Sequence, residues 1–329
     1  MKKFLCLSVA LLTLGVFLWR QLNSKKNSED RNLWSVIQDG TAESQIKEEI
    51  KEEIKGVTVE FEKELELGLK YINENNDELA EKYFKIAADG GNKSAQNNLG
   101  VFYEQKKMFD LAEKYYKMAA DSNYGSAQKN LGDFYSELGK FDLAEKYLKL
   151  AVENNEESSR YSLGLLYFKT GKIELAEKTL KSSIDIGETD SRGALGIIYY
   201  QQGKNDLAIE HLNLAAESGD IPSQTNLGIV LNDMGEEALA EKHWKMAADR
   251  GSVTAQNNLI LLYINQEKHD LTQKYKIMAA ENGDVDAQIT LGSSYFEDGK
   301  LELGEKYLVM AANNGHDMTQ LLASFEIEK

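Results

Sequence analysis

Four histidines and one cysteine are the residues of this sequence best suited to metal binding or nucleophilic chemistry. His211 and His243 lie 32 residues apart, but neither has a carboxylate or a further histidine at metal-ligand spacing; His269 and His316 are the other two. One cysteine cannot form a thiolate cluster or an intramolecular disulfide. No glycine-rich phosphate loop, serine-centred elbow or Cys-His set is present. We therefore predict no metal, no cofactor and no catalytic residue, and we do not expect an enzyme.

The spacing of the two histidines belongs to a longer pattern, because they stand where Tyr83, Tyr115 and Tyr147 stand in other copies of a 32-residue repeat. One copy, starting at Leu111, reads LAEKYYKMAADSNYGSAQKNLGDFYSELGKFD. The repeat is marked by eight leucines at the same spacing, without insertion: Leu79, Leu111, Leu143, Leu175, Leu207, Leu239, Leu271 and Leu303. A constant spacing of the leucine over eight copies indicates tandem structural units.

Each unit carries the boundary signals of two helices. An aspartate before the leucine and a glutamate three residues later, as in Asp110 with Glu113 and Asp142 with Glu145, predict a capping box. Glycine or asparagine twelve residues after each leucine predicts the end of that helix, because these residues readily adopt the left-handed conformation. The next helix is predicted to be capped three residues further on, by Ser94, Ser126, Ser158, Asp190, Thr254 and Asp286, with Pro222 in a first turn.

Small residues recur where the two helices must approach, for example Gly100 and Gly132, and large ones such as Leu131 and Tyr135 recur at four-residue spacing. No single unit of this size can bury its own apolar face. The units are therefore expected to stack into a solenoid over residues 57–329.

The order A-x-x-x-L-G-x-x-Y, a Gly-Lys turn and then L-A-E-K-Y-x-x-x-A-A-x-x-G resembles the SEL-one-like repeat, a subfamily of the tetratricopeptide repeats. The resemblance is carried by Ala127, Leu131, Gly132, Tyr135, Gly139, Lys140, Ala144, Tyr147 and Ala151. It implies an all-α fold, a right-handed superhelical solenoid of about eight helix–turn–helix repeats, and a non-catalytic scaffold that binds other proteins. The 32-residue unit is shorter than in many such proteins.

The resemblance also implies that the first helix of each pair lines the concave side, with the positions two and five after its own conserved leucine facing a ligand. In the later units these positions are mostly large and apolar, and we call them the first-helix apolar row: Leu165, Phe168, Ile197, Tyr200, Ile229, Leu261, Ile264 and Phe296. The row is interpreted either as a peptide-binding groove or as packing between curved units. Four amides are candidates to bind a peptide backbone or to bond neighbouring turns: Asn98, Asn130, Asn226 and Asn258.

The N-terminus has the layout of an export signal, with Lys2 and Lys3 before the uncharged run from Phe4 to Trp19. As a helix this run reaches about 24 Å, short of a bilayer core, and no small-residue cleavage site follows it. We predict a signal anchor at residues 1–26, a charged tether with a short helix at residues 27–56, and a repeat domain outside the cytoplasm, on the periplasmic or cell-surface side of a bacterial cell envelope. Cleavage to a secreted binding factor is the alternative.

The charge of the chain restricts its partners. The net charge is −16, and residues 1–26 contain five basic groups and no acid, which leaves 33 basic against 54 acidic groups beyond them. The negative electrostatic field of this excess of acidic groups repels phosphate backbones and disfavours nucleic acid as a partner. The sequence predicts a membrane-tethered scaffold for a protein or peptide, a basic one being favoured, with membrane contact only through the N-terminal segment. An envelope hydrolase is the remaining and weakest alternative, since no catalytic constellation supports it.

Overall fold

A computed structural model describes residues 61–315, which form sixteen α-helices and no strand. The helices are α1 (61–73), α2 (Asp77–Asp89), α3 (Lys93–Gln105), α4 (Phe109–Asp121), α5 (Gly125–Glu137), α6 (Phe141–Glu153), α7 (Ser159–Lys169), α8 (Ile173–Asp185), α9 (Ser191–Gln201), α10 (Asn205–Glu217), α11 (Ile221–Asp233), α12 (Glu237–Ala248), α13 (Val253–Asn265), α14 (His269–Glu281), α15 (Val285–Glu297) and α16 (Leu301–Asn313). The all-α repeat architecture is confirmed. None of these helices is both long and apolar enough to cross a bilayer. The predicted anchor and tether, Cys6 and His316 lie outside the described residues.

The chain divides into two compact units, Met1–Ser162 and Leu163–Lys329. In each unit, consecutive helices pack as antiparallel pairs, and the second helix of one pair also packs against the first helix of the next. The first unit centres on aromatic side chains such as Phe84, Tyr103 and Phe134. The second contains a core cluster that includes Trp244 and Tyr263.

The predicted helix ends are confirmed at every repeat. All eight glycines or asparagines twelve residues after the leucines have positive φ, for example Gly91 at 89° and Asn123 at 58°. Behind Gly91, the backbone N–H of Gly91 donates to the carbonyl of Ala88 and that of Asn92 donates to Ala87, each over 3.0 Å. These two bonds satisfy carbonyl groups that the end of α2 would otherwise leave unpaired.

The predicted helix starts are displaced by two residues in most repeats. Helix α4 begins at Phe109 after Met108, which makes no side-chain cap, so Asp110 lies inside the first turn and the capping box is wrong. A residue with positive φ in the preceding turn, such as Gly139, reverses the chain, so that the next helix begins two residues later at Phe141. The acidic residues of the first turn then interact favourably with the positive end of the helix dipole. Three first helices are capped two residues earlier than Ser94, Thr254 and Asp286, by Asn92, Ser252 and Asp284. Helix α9 has the predicted Asp190 at its N-cap position, without a side-chain hydrogen bond.

The small-against-large packing is confirmed at the glycines of the first helices. A Cβ atom added to Gly132 would lie 2.6 Å from Cγ of Leu148, and one added to Gly228 would lie 2.4 Å from Nε1 of Trp244. These distances are shorter than any van der Waals contact, so the glycine permits the close approach of the two helices. Ile260 replaces the glycine in one repeat, where the position of the large partner is taken by Lys276.

A recurring glutamine links five of the described pairs of helices to the pair before each of them. The Nε2 of Gln96 donates to the carbonyl of Ala88, eight residues earlier, over 3.1 Å. The same bond joins Gln128 to Ala120, Gln224 to Ala216, Gln256 to Ala248 and Gln288 to Ala280. A buried amide donor thus satisfies a carbonyl near the C-terminal end of a helix.

Candidate protein-binding face

The first-helix apolar row lies entirely within the unit Leu163–Lys329. Three of its members are exposed, with relative accessibilities of 61% for Leu261, 49% for Ile264 and 37% for Leu165. Leu261 and Ile264 are one helical turn apart on α13, so they form one continuous apolar surface. The exposed part of the row is therefore concentrated on this helix.

The other five members of the row are half-buried: Phe168, Ile197, Tyr200, Ile229 and Phe296. Ile197, Tyr200 and Ile229 pack against the core cluster around Trp244. Phe296 packs against α16, where a Cβ on Gly304 would lie 2.5 Å from its Cδ2. These side chains contribute to packing as well as to the surface of the row.

Tyr200 also has a polar contact at the surface. Its hydroxyl donates to the carboxylate of Asp233 on α11, and this bond raises the pKa of Tyr200 above its usual value. The tyrosine ring is thereby held across two successive first helices. Its orientation is set by both packing and this hydrogen bond.

The four candidate amides have different environments. Asn130 donates to Oδ1 of Asn97 over 3.0 Å, so it bonds a neighbouring first helix. The Nδ2 of Asn258 is buried and makes no hydrogen bond within residues 61–315. Asn226 is half-buried beside Ile221 and Pro222, and Asn98 is half-buried as well.

On α3 and α5 of the unit Met1–Ser162 the positions of the row are mostly polar. Val101, Asp133, Glu104 and Ser136 occupy the positions of the row there. Burial raises the pKa of Glu104, with the charges of Glu137 and Asp133 acting in the same direction, although the Tyr116 hydroxyl donates to Glu104 over 2.5 Å and acts against them. Helix α1 of the same unit carries Leu69 and Ile72 at these positions, with exposed fractions of 45% and 37%, so exposed apolar side chains at these positions occur in both units.

A recurring group of tyrosine, glutamate and lysine was not identified from the sequence. Oε1 of Glu81 accepts a hydrogen bond from the Tyr103 hydroxyl over 2.7 Å and lies 2.5 Å from Nζ of Lys85. The same arrangement joins Glu113, Lys117 and Tyr135, then Glu177, Lys181 and Tyr199, then Glu241, Lys245 and Tyr263. The Glu-Lys spacing of four was visible in the sequence, whereas the tyrosine lies 22 residues away. The group braces adjacent helices.

His211 and His243 are half-buried side chains at the tyrosine position of the second helices. The ring of His211 lies 5.4 Å from that of Tyr199, and the Nδ1 atoms of both histidines are buried without a hydrogen-bond partner in the described part of the chain. Burial lowers the pKa of both. Residues 61–315 contain no group of three or more His, Cys, Asp or Glu side chains arranged to hold a metal ion.

These helical pairs, with a small residue at every described crossing except that of Ile260 and a residue of positive φ in each turn, define a tandem α-helical repeat protein. The tetratricopeptide repeat family model matches residues 94–123, 129–158 and 157–188. The resemblance noted in the sequence is therefore confirmed. No curated protein matches the chain in sequence.

Solved structures of repeat proteins share the fold. A Sel1 repeat protein from Oxalobacter formigenes has a TM-score of 0.54 and 19% identity, over 91% of this chain and 94% of that one. The pilF protein of Pseudomonas aeruginosa has a TM-score of 0.52 and 19% identity, over 61% and 97%. A tetratricopeptide repeat protein from Parabacteroides merdae has a TM-score of 0.51 and 19% identity, over 75% and 98%. The chain thus shares the helical repeat fold of these proteins.

Proposed function

We propose that this protein is a non-catalytic scaffold that binds a peptide segment of another protein along the first-helix apolar row. The binding surface is placed on the unit Leu163–Lys329, with α13 at its centre. Folds of this kind are typically scaffolds without a catalytic site, and the row offers apolar contact surface and amides rather than reactive groups.

The exposure of Leu261 and Ile264 carries the proposal. Helix α13 already buries Leu259 and Tyr263 on its core side, so its stability does not require a second apolar surface. Two large aliphatic side chains one turn apart, with exposed fractions of 61% and 49%, are typical of anchor points for a partner. Packing within the repeats accounts for the half-buried members of the row, but it does not account for these two.

The half-buried members support the exposed ones. Ile229 lies on α11, which is the first helix of the pair that precedes α13. It packs against the core cluster around Trp244. A binding surface with side chains fixed by packing loses less conformational entropy when a partner binds. The half-buried side chains of the row are therefore preorganised for binding.

We further propose that residues 1–26 anchor the chain in a membrane and that the repeat domain lies outside the cytoplasm. The support is the uncharged run from Phe4 to Trp19, flanked by Lys3 and Arg20 and followed by no small-residue cleavage site. The net charge of −16 favours a partner with a basic surface. The mass of the mature chain separates an anchor from a cleaved signal, and protease protection in spheroplasts tests the orientation.

Affinity capture with the full chain tests the binding surface. The variant Leu261→Asn/Ile264→Asn is compared with the parent and with Leu175→Asn/Leu239→Asn, whose leucines on α8 and α12 are each 45% exposed. We expect the first variant to lose a partner that the parent and the control variant retain, while all three show the same circular dichroism. A partner retained equally by all three proteins would place binding elsewhere.

A further inference from the structure

The turns that join the paired helices α3–α4 and α5–α6 carry exposed apolar side chains. Met108 is 47% exposed, Phe109 is 45% exposed, Leu138 is 39% exposed and Phe141 is 38% exposed. The ring of Phe109 lies 6.1 Å from that of Phe134, which is buried in the next pair of helices, and Leu138 follows Phe134 by one helical turn. The four exposed side chains therefore form one surface, which we call the turn patch.

Met108 has no apolar counterpart in the other described repeats. It occupies the N-cap of α4, where its side chain makes no capping hydrogen bond. Polar residues occupy this position in the other second helices that the structure describes: Asn76, Lys140, Lys172, Lys204, Glu236, Lys268 and Lys300. The methionine thus does not stabilise the start of its helix, and a large apolar side chain at such an exposed turn is typical of a contact surface.

A cleft of about 390 Å³ lies beside Met108 and Phe109, and Lys107, Asp110 and Leu111 complete its lining. Lys107 and Asp110 are both exposed, and neither side chain makes an ion pair or a hydrogen bond within residues 61–315. Lys107 also has a φ of 58°, a left-handed conformation that glycine adopts with less strain. A cation and an anion thus precede and follow Phe109, and both are available to a partner.

These two charges restrict the occupant of the turn patch. A partner of one charge sign would meet one attractive and one repulsive group here, whereas a second copy of this chain satisfies both groups at once. A two-fold axis brings the same surface of two copies together, so such an interface must be self-complementary. Lys107 and Asp110 meet this requirement, because a two-fold axis at Phe109 places the lysine of one copy opposite the aspartate of the other.

We propose that the turn patch is the interface of a two-fold symmetric homodimer, in which Lys107 of each protomer pairs with Asp110 of the other. This inference is independent of the binding surface proposed on the unit Leu163–Lys329. From their exposed fractions, the four apolar side chains contribute roughly 350 Å² per protomer. Since slightly over half of a typical interface is apolar, the whole contact buries about 600 Å² on each side, near the lower end for a specific complex. The dimer should therefore be weak, with a dissociation constant in the micromolar range.

Charge reversal tests this pairing on the full chain in detergent micelles, by sedimentation velocity at protein concentrations from about 1 µM to about 100 µM. We expect a concentration-dependent dimer for the parent. Lys107→Asp and Asp110→Lys should each weaken it by about tenfold or more, because each variant places like charges at both symmetry-related contacts. The double variant Lys107→Asp/Asp110→Lys should restore the dimer.

Mixing the two single variants tests the symmetry of the contact. An equimolar mixture should form a heterodimer, because a protomer with two anions then meets a protomer with two cations. Neither a contact through the proposed membrane anchor nor docking of another segment of the same chain produces this rescue. A parent that stays monomeric, single variants that dimerise as well as the parent, or a mixture that stays monomeric overturns the inference.

Further variants separate the turn patch from general effects of charge and folding. Lys82→Asp and Asp89→Lys are matched controls, because these residues flank the exposed Ile86 on α2 of the same unit and should leave the dimer unchanged. Met108→Asn should weaken the dimer without lowering the thermal unfolding temperature, since asparagine is able to cap α4 where methionine makes no cap. Equal weakening by the control reversals and the patch reversals would indicate long-range repulsion and would also overturn the inference.

Discussion

The hydroxyl of Tyr103 on α3 donates to Oε1 of Glu81 on α2 over 2.7 Å, and Nζ of Lys85 lies 2.5 Å from the same oxygen. The hydrogen bond from Lys85 and then that from Tyr103 lower the pKa of Glu81. Burial, followed by the bond to Glu81, raises the pKa of Tyr103 to about 12. The ionised Glu81 carboxylate and the neutral Tyr103 hydroxyl therefore stabilise each other.

Replacing Tyr103 by Phe should lower the free energy of unfolding at pH 7 by about 1 kcal/mol, since one buried hydrogen bond is lost. Because the pKa of Tyr103 is raised in the fold, its contribution is present below its unfolded value near 10 and is lost as pH rises towards 12. The difference between parent and variant in urea unfolding should therefore shrink between pH 10 and 12. Tyr83→Phe is the control, because its hydroxyl makes no hydrogen bond within residues 61–315. A constant difference across this range would contradict the linkage.

The contact between Gly132 and Leu148 predicts a coupled pair. Gly132→Ala should destabilise the fold by about 1 to 3 kcal/mol, because its Cβ would overlap the leucine. Leu148→Ala should cost about 2 to 5 kcal/mol through the cavity it leaves. The double variant should be more stable than the sum of the single effects predicts, which a double-mutant cycle of urea unfolding measures. Strict additivity would show that the two residues do not share this space.

His211 and His243 predict an acid-sensitive region. Burial lowers their pKa values below 6.5, so their contribution is present above pH 6.5 and is lost as pH falls through the lowered values. Glu210 opposes this shift at His211, whereas Arg192 and Lys181 reinforce it; Lys242 reinforces it at His243.

The double variant His211→Tyr/His243→Tyr should therefore lose less stability than the parent between pH 7.5 and pH 5. Urea midpoints at the two pH values provide the measurement. His269→Gln serves as the control for the loss of a histidine, because His269 is exposed at the start of α14. If the double variant lost as much stability as the parent between pH 7.5 and pH 5, the two histidines would not be the cause of the acid sensitivity.

Glu267 has a φ of 53° in a turn where Gly299 has 75° in a later repeat. Because a side chain in this conformation is strained, Glu267→Gly should raise the free energy of unfolding by up to about 1 kcal/mol. The converse change, Gly299→Ala, should lower it. Thermal unfolding of the two variants beside the parent shows whether the shifts have these opposite signs.

The repeat made much of the architecture predictable. Glycine or asparagine at a fixed distance from each leucine identified helix ends, because few residues tolerate positive φ. Helix starts were less predictable, since Asn92 and Ser94 are both able to cap a helix and the geometry of the preceding turn selects Asn92. The burial of Ile229 beside the exposure of Leu261 also depends on neighbouring helices, although both residues occupy equivalent positions in their repeats.

The Tyr–Glu–Lys groups were not predicted for a similar reason. A glutamate and lysine four residues apart, as in Glu113 and Lys117, are common on solvent-exposed helices and indicate only a local pair. The third member, Tyr135, is brought to them by the packing of one helix pair on the next.

The bond from Gln256 to the carbonyl of Ala248 has the same eight-residue geometry as the bond from Gln288 to Ala280. Excision of one complete 32-residue period between these points joins a helix to a new neighbour with the same glutamine, carbonyl and turn. In-frame loss or duplication of whole periods in the gene therefore produces shorter or longer chains whose junctions are already compatible. The length of the protein can change by such steps without a new core having to arise.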